Sequence, residues 1–313
     1  MKKAFPAFCA IITILLGALP AAGFELIKDH RLLADGVVIR PNPTPSEKKA
    51  ADELVYYLEK STGIKLPVVT EKAESPKGKY IYVGSCAANV EAGLDPAKMP
   101  YNSGKIVVED NAVRLAGKDD NRDYRANNTS TGTLFAAYEF LEKFLGVRWL
   151  WPGELGEVIP VVENLSIADM DVTERPSFAV RSPWMSGSKR YFAGTEQADF
   201  ATWKRRMKLT DRDTHPLVMQ GGHIWGTIIR QNQKEFDANP EMYALVRQPD
   251  GSLKRQGPQL ETTHPRVIEL FCEYIRGQFK KNKWPNDKLV CLGVGPSDGG
   301  GYSVSSESTS ASA

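Results

Sequence analysis

Two short stretches carry side chains suited to proton transfer and sugar contact. The first is Gly295-Pro296-Ser297-Asp298, directly after the strand-like run Lys288–Val294. A carboxylate there can protonate a leaving oxygen or accept from substrate hydroxyls. The plain alternative for Asp298 is an Asp-Gly turn, since Gly299 follows it. The second stretch is Gly221-Gly222-His223-Ile224-Trp225, after the run Leu217–Gln220. Glycines let backbone approach a ligand closely, His223 can donate to a hydroxyl or carboxylate, and the Trp225 face can stack on a pyranose ring. The alternative is a histidine satisfied within a loop. Arg181, near the end of the run Phe178–Trp184, suits a bidentate contact with an acidic sugar or a structural ion pair, and Trp184 beside it is a further substrate-binding candidate. Glu241 reads as a helix-start residue favoured by the helix dipole. Hydrolysis of a glycoside normally uses two carboxylates, about 5–5.5 Å apart for retention or about 6.5–9.5 Å for inversion. Asp298 is the one that position singles out, with Glu261 a bare possibility.

Composition removes other classes of chemistry. The 313 residues carry a formal net charge of +2, with Lys and Arg spread along the chain. That pattern offers no basic patch for nucleic acid or a membrane surface. No metal-ligand cluster, phosphate-binding glycine loop or Gly-x-Ser-x-Gly elbow is present, so neither a cofactor nor a metal is expected. A neutral or weakly charged substrate is the default that this composition leaves, and the oligomeric state is left open. Lys2 and Lys3 followed by the apolar run Ala4–Leu19 and the small residues Ala21-Ala22-Gly23 read as a signal peptide over residues 1–23. The run is shorter than the ~20 residues of a membrane span, so the expectation is export to the periplasm or beyond, with no integral membrane segment after cleavage. The remaining Cys86, Cys272 and Cys291 form no close spacing, and each reads as a small buried hydrophobe.

The elements that must position these residues fall into two textures. Gly36–Arg40, Leu66–Thr70, Lys79–Gly84, Lys105–Glu109 and Ala112–Ala116 read as strands, the last two joined by a turn at Asp110-Asn111. Ser46 is an N-cap candidate for a helix whose Ala51, Leu54, Val55 and Leu58 share one face, and Gly63 closes it. A second helix begins near Ser130 or Thr131 and ends at Gly146. This predicts an α+β accessory domain over 24–175, one sheet with its helices on a single face. From Pro176 strand runs alternate with helices over Gln197–Met207 and from Pro265 onward. That predicts βα units over 176–301, with strands at Phe178–Trp184, Leu217–Gln220, Gln259–Thr263 and Lys288–Val294, and hence an α/β fold. Residues 302–313 are nearly all Ser, Thr, Ala and Glu and read as a disordered tail.

Longer motifs carry a family resemblance. Gly132-Thr133-Leu134 through Phe140-Leu141-Glu142, with Leu145-Gly146-Val147-Arg148-Trp149-Leu150-Trp151-Pro152-Gly153-Glu154, is similar to the N-terminal domain of α-glucuronidases of glycoside hydrolase family 67 and to domain 2 of β-hexosaminidases. Gly221-Gly222-His223-Ile224-Trp225, Asn239-Pro240-Glu241-Met242-Tyr243, Gln259-Leu260 and Gly295-Pro296-Ser297-Asp298-Gly299-Gly300-Gly301 resemble, in that order, the bacterial domain-of-unknown-function family 4838. The resemblance spans about Gly36 to Gly301. It implies a carbohydrate as the partner and a TIM-like (β/α) barrel acting on sugars, with active residues at the carboxyl ends of its strands, and with Asp298 after a fourth strand placed to act on the glycosidic oxygen. Trp149 and Trp151 are expected at the face that meets the barrel.

The chain departs from the resemblance after Gly301, where such proteins continue into Cys-containing loops and the rest of the barrel. Residues 176–313 are about half of the ~250 typical of a closed barrel. The expectation is therefore a partial barrel, cut short, whose parallel edge and interior layers are exposed. The function expected is O-glycosyl hydrolysis of polysaccharide-derived oligosaccharides; the alternatives are a carbohydrate-binding or surface protein and an inactive fragment.

Overall fold

The computed structural model of the protein describes residues 23–72, 76–183, 195–211, 217–284 and 289–311. The described chain is mixed α/β and divides into two units. The first takes the chain up to Tyr124, Ser130–Arg175 and Ala198–Arg206; the second takes Arg125–Thr129, Pro176–Gln197 and Met207 onward. Of the expected signal peptide only Gly23 is described, as the first residue of a strand. No helix among the described residues is long and apolar enough to cross a membrane.

The first unit is an α+β structure. Strands β1 (Gly23–Lys28), β2 (Arg31–Leu32) and β3 (Gly36–Ile39) precede helix α1 (Pro45–Thr62), followed by β4 (Val68–Thr70), β5 (Tyr80–Val83) and the short α2 (Ala87–Glu91). Strands β6 (Gly104–Glu109) and β7 (Ala112–Gly117) form a hairpin through Asp110-Asn111, with Glu109 opposite Ala112. Helix α3 (Gly132–Phe144), β8 (Arg148–Trp149), β9 (Glu157–Val158), β10 (Leu165–Ala168) and β11 (Met170–Glu174) complete it. Its main sheet has the order β11-β6-β7-β5-β3-β4, while β10-β1-β2 form a second sheet.

Alternation along these strands decides the packing. Val37, Ile81, Val83, Ile106, Val108, Val113 and Leu115 share one core with Leu54, Tyr57 and Leu58 of α1 and Leu134, Tyr138 and Leu141 of α3. Each such apolar side chain contributes roughly 1.5–3 kcal/mol on full burial. Both long helices thus lie on one face. The opposite residues Val38, Tyr82 and Ala112 pack with Cys86 and Ala88 at α2, so the sheet is covered on both faces rather than one. Burial pushes the Cys86 thiol up to about 12, which makes it an inert hydrophobe.

The start of α1 corrects the expected cap. Thr44, not Ser46, is the N-cap: its hydroxyl accepts from Glu47 N at 3.1 Å, and Glu47 Oε2 accepts from Thr44 N at 2.6 Å. Pro45 at the first helical position and the reciprocal pair form a capping box. Ser46 already lies inside the helix.

The second unit differs from the expected series of βα units. Strand β12 (Leu217–His223) is followed by α5 (Trp225–Gln231) and α6 (Gln233–Ala238), where α4 denotes the earlier helix Thr195–Arg206. Strands β13 (Tyr243–Arg247) and β14 (Leu253–Leu260) then form an antiparallel hairpin. Helix α7 (Pro265–Lys281), β15 (Leu289–Gly295) and α8 (Ser306–Ser310) follow. β12 pairs in parallel directly with β15, from Leu217 opposite Leu289 to His223 opposite Gly295. The run Gln259–Thr263 is therefore no third parallel strand, and β15 is the neighbour of β12 rather than a strand beyond it. The role implied for Asp298 by a fourth-strand position loses that basis.

Four further expectations are corrected. Phe178–Pro183 is not a strand: Arg181 N donates to Thr210 Oγ1 at 2.9 Å and Thr210 N donates to Arg181 O at 3.2 Å, which ties the segment to a loop instead of a ladder. Residues Ala198–Arg206 of α4, expected in the barrel, belong to the first unit. The Ser-rich segment is placed rather than loose, since Val304 N donates to Leu245 O at 2.9 Å and residues 306–310 form α8. Cys291, expected to be buried, is exposed on β15.

Candidate functional site

The carboxyl ends of β12 and β15 bring together two of the residues that the sequence singled out. β12 reaches this edge through Gly221, whose φ is +84° and at which a Cβ would stand 2.5 Å from Gly293 O on the facing strand. Both constraints require glycine. Gly221→Ala is expected to cost the second unit about 2 kcal/mol or more, since the left-handed backbone alone costs an L residue roughly 1–2 kcal/mol. Chemical unfolding followed by amide exchange in β12 and β15 checks this; unchanged stability would contradict the close strand approach.

His223 ends β12, and its Nε2 stands 3.0 Å from Asp298 Oδ1, three residues past the end of β15. His223 Nδ1 lies against the Pro296 carbonyl oxygen. A carbonyl only accepts, so Nδ1 carries hydrogen and donates. Nε2 and the carboxyl oxygen stand at ion-pair distance, the spacing of an imidazolium beside a carboxylate when the ring is protonated. The side chains are 61% and 88% exposed. The pair therefore sets an imidazole and a carboxyl side by side at an open edge, the two group types that general acid–base chemistry uses.

Trp225 opens α5 beside this pair, but it is not free on all sides. Its Nε1 donates to Val294 O at 3.0 Å, and its ring meets Phe271 edge-on at 6.0 Å between centroids. It is a half-buried wall of the local core rather than an open stacking platform. Arg181 is not brought to the pair by any described contact. Its Nε donates to Lys208 O at 2.7 Å and its Nη1 to Phe178 O at 2.6 Å, so the guanidinium braces a loop. Trp184 lies outside the described residues.

Two buried polar residues at the end of β14 carry more structure than their sequence context suggested. Gln259 is fully buried, and its Nε2 donates to Ser297 O at 2.8 Å and Gly300 O at 3.4 Å. Glu261, 4% exposed, accepts from Arg255 Nη1 at 2.9 Å, Ser303 Oγ at 2.6 Å and Thr263 Oγ1 at 2.7 Å, and from Ser308 Oγ. Burial pushes its carboxyl up, but the bonds from Ser303, Ser308 and Thr263 outweigh it and hold it at about 2. Glu261 is thus an ionised anchor for the 303–308 segment. The hydroxyl-rich composition of that segment was the available signal for it.

The first unit holds a separate polar network. Trp149, 1% exposed, donates from Nε1 to Tyr57 Oη at 2.7 Å, and Tyr57 donates to Glu157 Oε1 at 2.8 Å. Trp149 is therefore part of this unit's own core rather than a residue at its rim. Arg206 bonds Glu157 Oε1 at 2.7 Å and Glu53 Oε2 at 3.1 Å. Arg206, Glu157 and Glu53 line a cavity of about 570 Å³ together with Lys49, Tyr56 and Thr202. Its buried charges are already paired with one another. Among the described residues no group of three or more His, Cys, Asp or Glu side chains stands ready for a metal ion.

The sequence profile of the family described as "Domain of unknown function (DUF4838)" matches residues 151–310, just over half of the chain. No curated protein matches. Weak structural likeness is found to a 4-O-methyl-α-glucuronidase of family GH115 with specificity for decorated arabinogalactans, at 15% identity and a TM-score of 0.41, covering 82% of this chain and 41% of that one. The chitobiase of Flavobacterium johnsoniae is similar at 11% identity and a TM-score of 0.35, over 88% and 42% of the two chains. The β-hexosaminidase of Streptomyces plicatus is similar at 10% identity and a TM-score of 0.35, over 83% and 54%. The chain thus spans about two-fifths to one-half the length of these solved proteins.

Proposed function

This chain belongs to the DUF4838 family, and from that premise we propose that it is an exported carbohydrate-acting protein whose β12/β15 edge engages an oligosaccharide. The observation that carries the reading is the His223–Asp298 pair, 3.0 Å apart and open to solvent where two parallel strands end. Carboxyl ends of parallel strands are where α/β folds gather ligands. In this reading Asp298 is the general acid for an O-glycosyl bond or the acceptor for sugar hydroxyls. His223 supplies or returns the proton through Nε2, while Nδ1 stays bound to Pro296. The similarity of Leu145–Glu154 to the accessory domains of α-glucuronidases and β-hexosaminidases supports the substrate class. Export rests on Lys2, Lys3 and the apolar run behind them.

A binding role without hydrolysis is favoured by one specific fact: Asp298 has no second carboxylate beside it among the described contacts of this edge, whereas hydrolysis normally uses two. One experiment separates the readings. Wild type, Asp298→Asn and His223→Ala are tested for binding to a panel of plant and host oligosaccharides, and for release of nitrophenol from aryl glycosides of N-acetylglucosamine and glucuronic acid. An enzyme loses turnover by an order of magnitude or more in Asp298→Asn with binding retained. A binding protein shows no turnover in any form and loses affinity in both variants. Wild-type protein that neither binds nor cleaves any of these sugars overturns the carbohydrate reading.

A further inference from the structure

We infer that Gln259 is the positioning residue for Asp298, fixing its carboxylate against His223 by holding the two carbonyls that bracket it. Gln259 is the next-to-last residue of β14 and is fully buried. Its amide donates at 2.8 Å to Ser297 O, the residue before Asp298, and at 3.4 Å to Gly300 O, two residues after it. Ser297 Oγ adds a longer contact to Pro258 O at 3.4 Å on the same strand. The loop between these points is Asp298-Gly299, and Gly299 has a φ of +99°. Such a loop has little of its own to hold one conformation.

The choice of residue type points the same way. Gln259 Oε1 is buried with no hydrogen-bond partner among the described residues. A buried amide oxygen left unpaired lowers stability, and an apolar side chain of the same shape would avoid that loss. What glutamine offers and leucine or methionine cannot is a pair of N–H donors from one nitrogen, and both go to the backbone around Asp298. The next stretch, 303–308, is tied separately by Glu261 through Ser303 and Ser308. Loss of the Gln259 amide should therefore release 297–300 and leave 303–308 in place.

The geometric claim stands by itself, while its meaning for catalysis or binding rests on the carbohydrate reading. The test needs no sugar. His223 imidazole resonances are recorded by NMR in wild type, Asp298→Asn and Gln259→Leu full-length protein, with amide hydrogen exchange of 297–310. Gln259→Leu is expected to move the His223 ring signals to the positions seen in Asp298→Asn and to speed exchange of 297–301 at least tenfold, with 303–310 unchanged. Ring signals that stay at wild-type positions in Gln259→Leu overturn the inference, whatever happens to stability. Should that variant not fold, the wild-type protein still decides: slow exchange of the Gln259 side-chain amide protons supports the clamp, and exchange at the rate of an exposed glutamine overturns it. If sugars fail to bind while the ring signals still move, the positioning role stands and the carbohydrate reading falls.

Discussion

Arg206→Met is expected to destabilise the first unit by about 3–5 kcal/mol, the usual cost of removing one partner from a buried ion pair. Arg206 bonds Glu53 on α1 and Glu157 on β9, and the three side chains are 11%, 4% and 7% exposed. Without the guanidinium, two carboxylates remain in the same desolvated space. Lys49 still pairs with Glu53 one turn earlier on α1, so the stranded charge is chiefly Glu157. Among the described residues Tyr57 alone then donates to its side chain. The guanidinium also lies 5.6 Å from the Tyr57 ring centre and 5.8 Å from that of Trp149, so packing is lost along with charge. Denaturant unfolding followed by tryptophan fluorescence measures the cost, because Trp149 and Trp203 sit in this network, joined by Trp203 Nε1 donating to Trp149 O at 2.9 Å. The combined variant Glu53→Gln, Glu157→Gln, Arg206→Met should recover most of the loss. A single variant as stable as wild type would show that α4 is not anchored here.

That anchoring marks the boundary of what the sequence could tell. The hairpin at Asp110-Asn111 and the helices α1 and α3 were legible because periodicity and turn chemistry act over a few residues. Helix α4 was legible as a helix, but its pattern says only that it needs a partner face, not whose. Its partners lie 153 and 49 residues away in sequence. The one local signal for the hairpin β13–β14 is the turn sequence Pro249-Asp250-Gly251 between its strands. There Ser252 N donates to Asp250 Oδ1 at 2.9 Å and Gly251 N to Gln248 O at 2.9 Å. The strand Leu253–Leu260 hid because Lys254-Arg255-Gln256 and Gly257-Pro258 break any alternation. Reading Gln259–Thr263 as a parallel strand displaces β15 by one place. His223 and Asp298 are legible all the same, because standing at or just past the end of a strand does not depend on strand order. Arg181 is not, because its strand does not form. Gln259 and Glu261 are hard to read as anchors, since Ser297 and Gly300, which Gln259 holds, and Ser303 and Ser308, which bind Glu261, lie 38 to 47 residues onward, the last two in a segment whose composition reads as disorder.

Asp119 provides the second large effect and ties such a distant contact to a measurable pH dependence. The N-cap Thr131 of α3 makes no side-chain cap, and Thr133 N donates instead to Asp119 Oδ1 at 3.0 Å, from the segment after β7. A helix start favours an anion, and this bond lowers the carboxyl. Burial is the larger influence and pushes it up to about 8. Oδ2 is buried with no partner among the described residues. The folded protein therefore keeps a proton that the unfolded chain releases near 3.8. The Asp119 contribution to stability is full below about pH 4, falls as pH rises toward 8, and levels off above it, because this group binds more protons in the folded state throughout that window. At roughly 1.4 kcal/mol per pH unit the ceiling of this loss is on the order of 5 kcal/mol. Asp119→Asn preserves the acceptor for Thr133 and cannot ionise. It is expected to flatten the pH profile between 4 and 8 and to exceed wild type in stability at pH 8. Unfolding at a series of pH values checks both, and equal slopes in the two proteins would mean that Asp119 is ionised in the folded state and that the start of α3 is held by a charge after all.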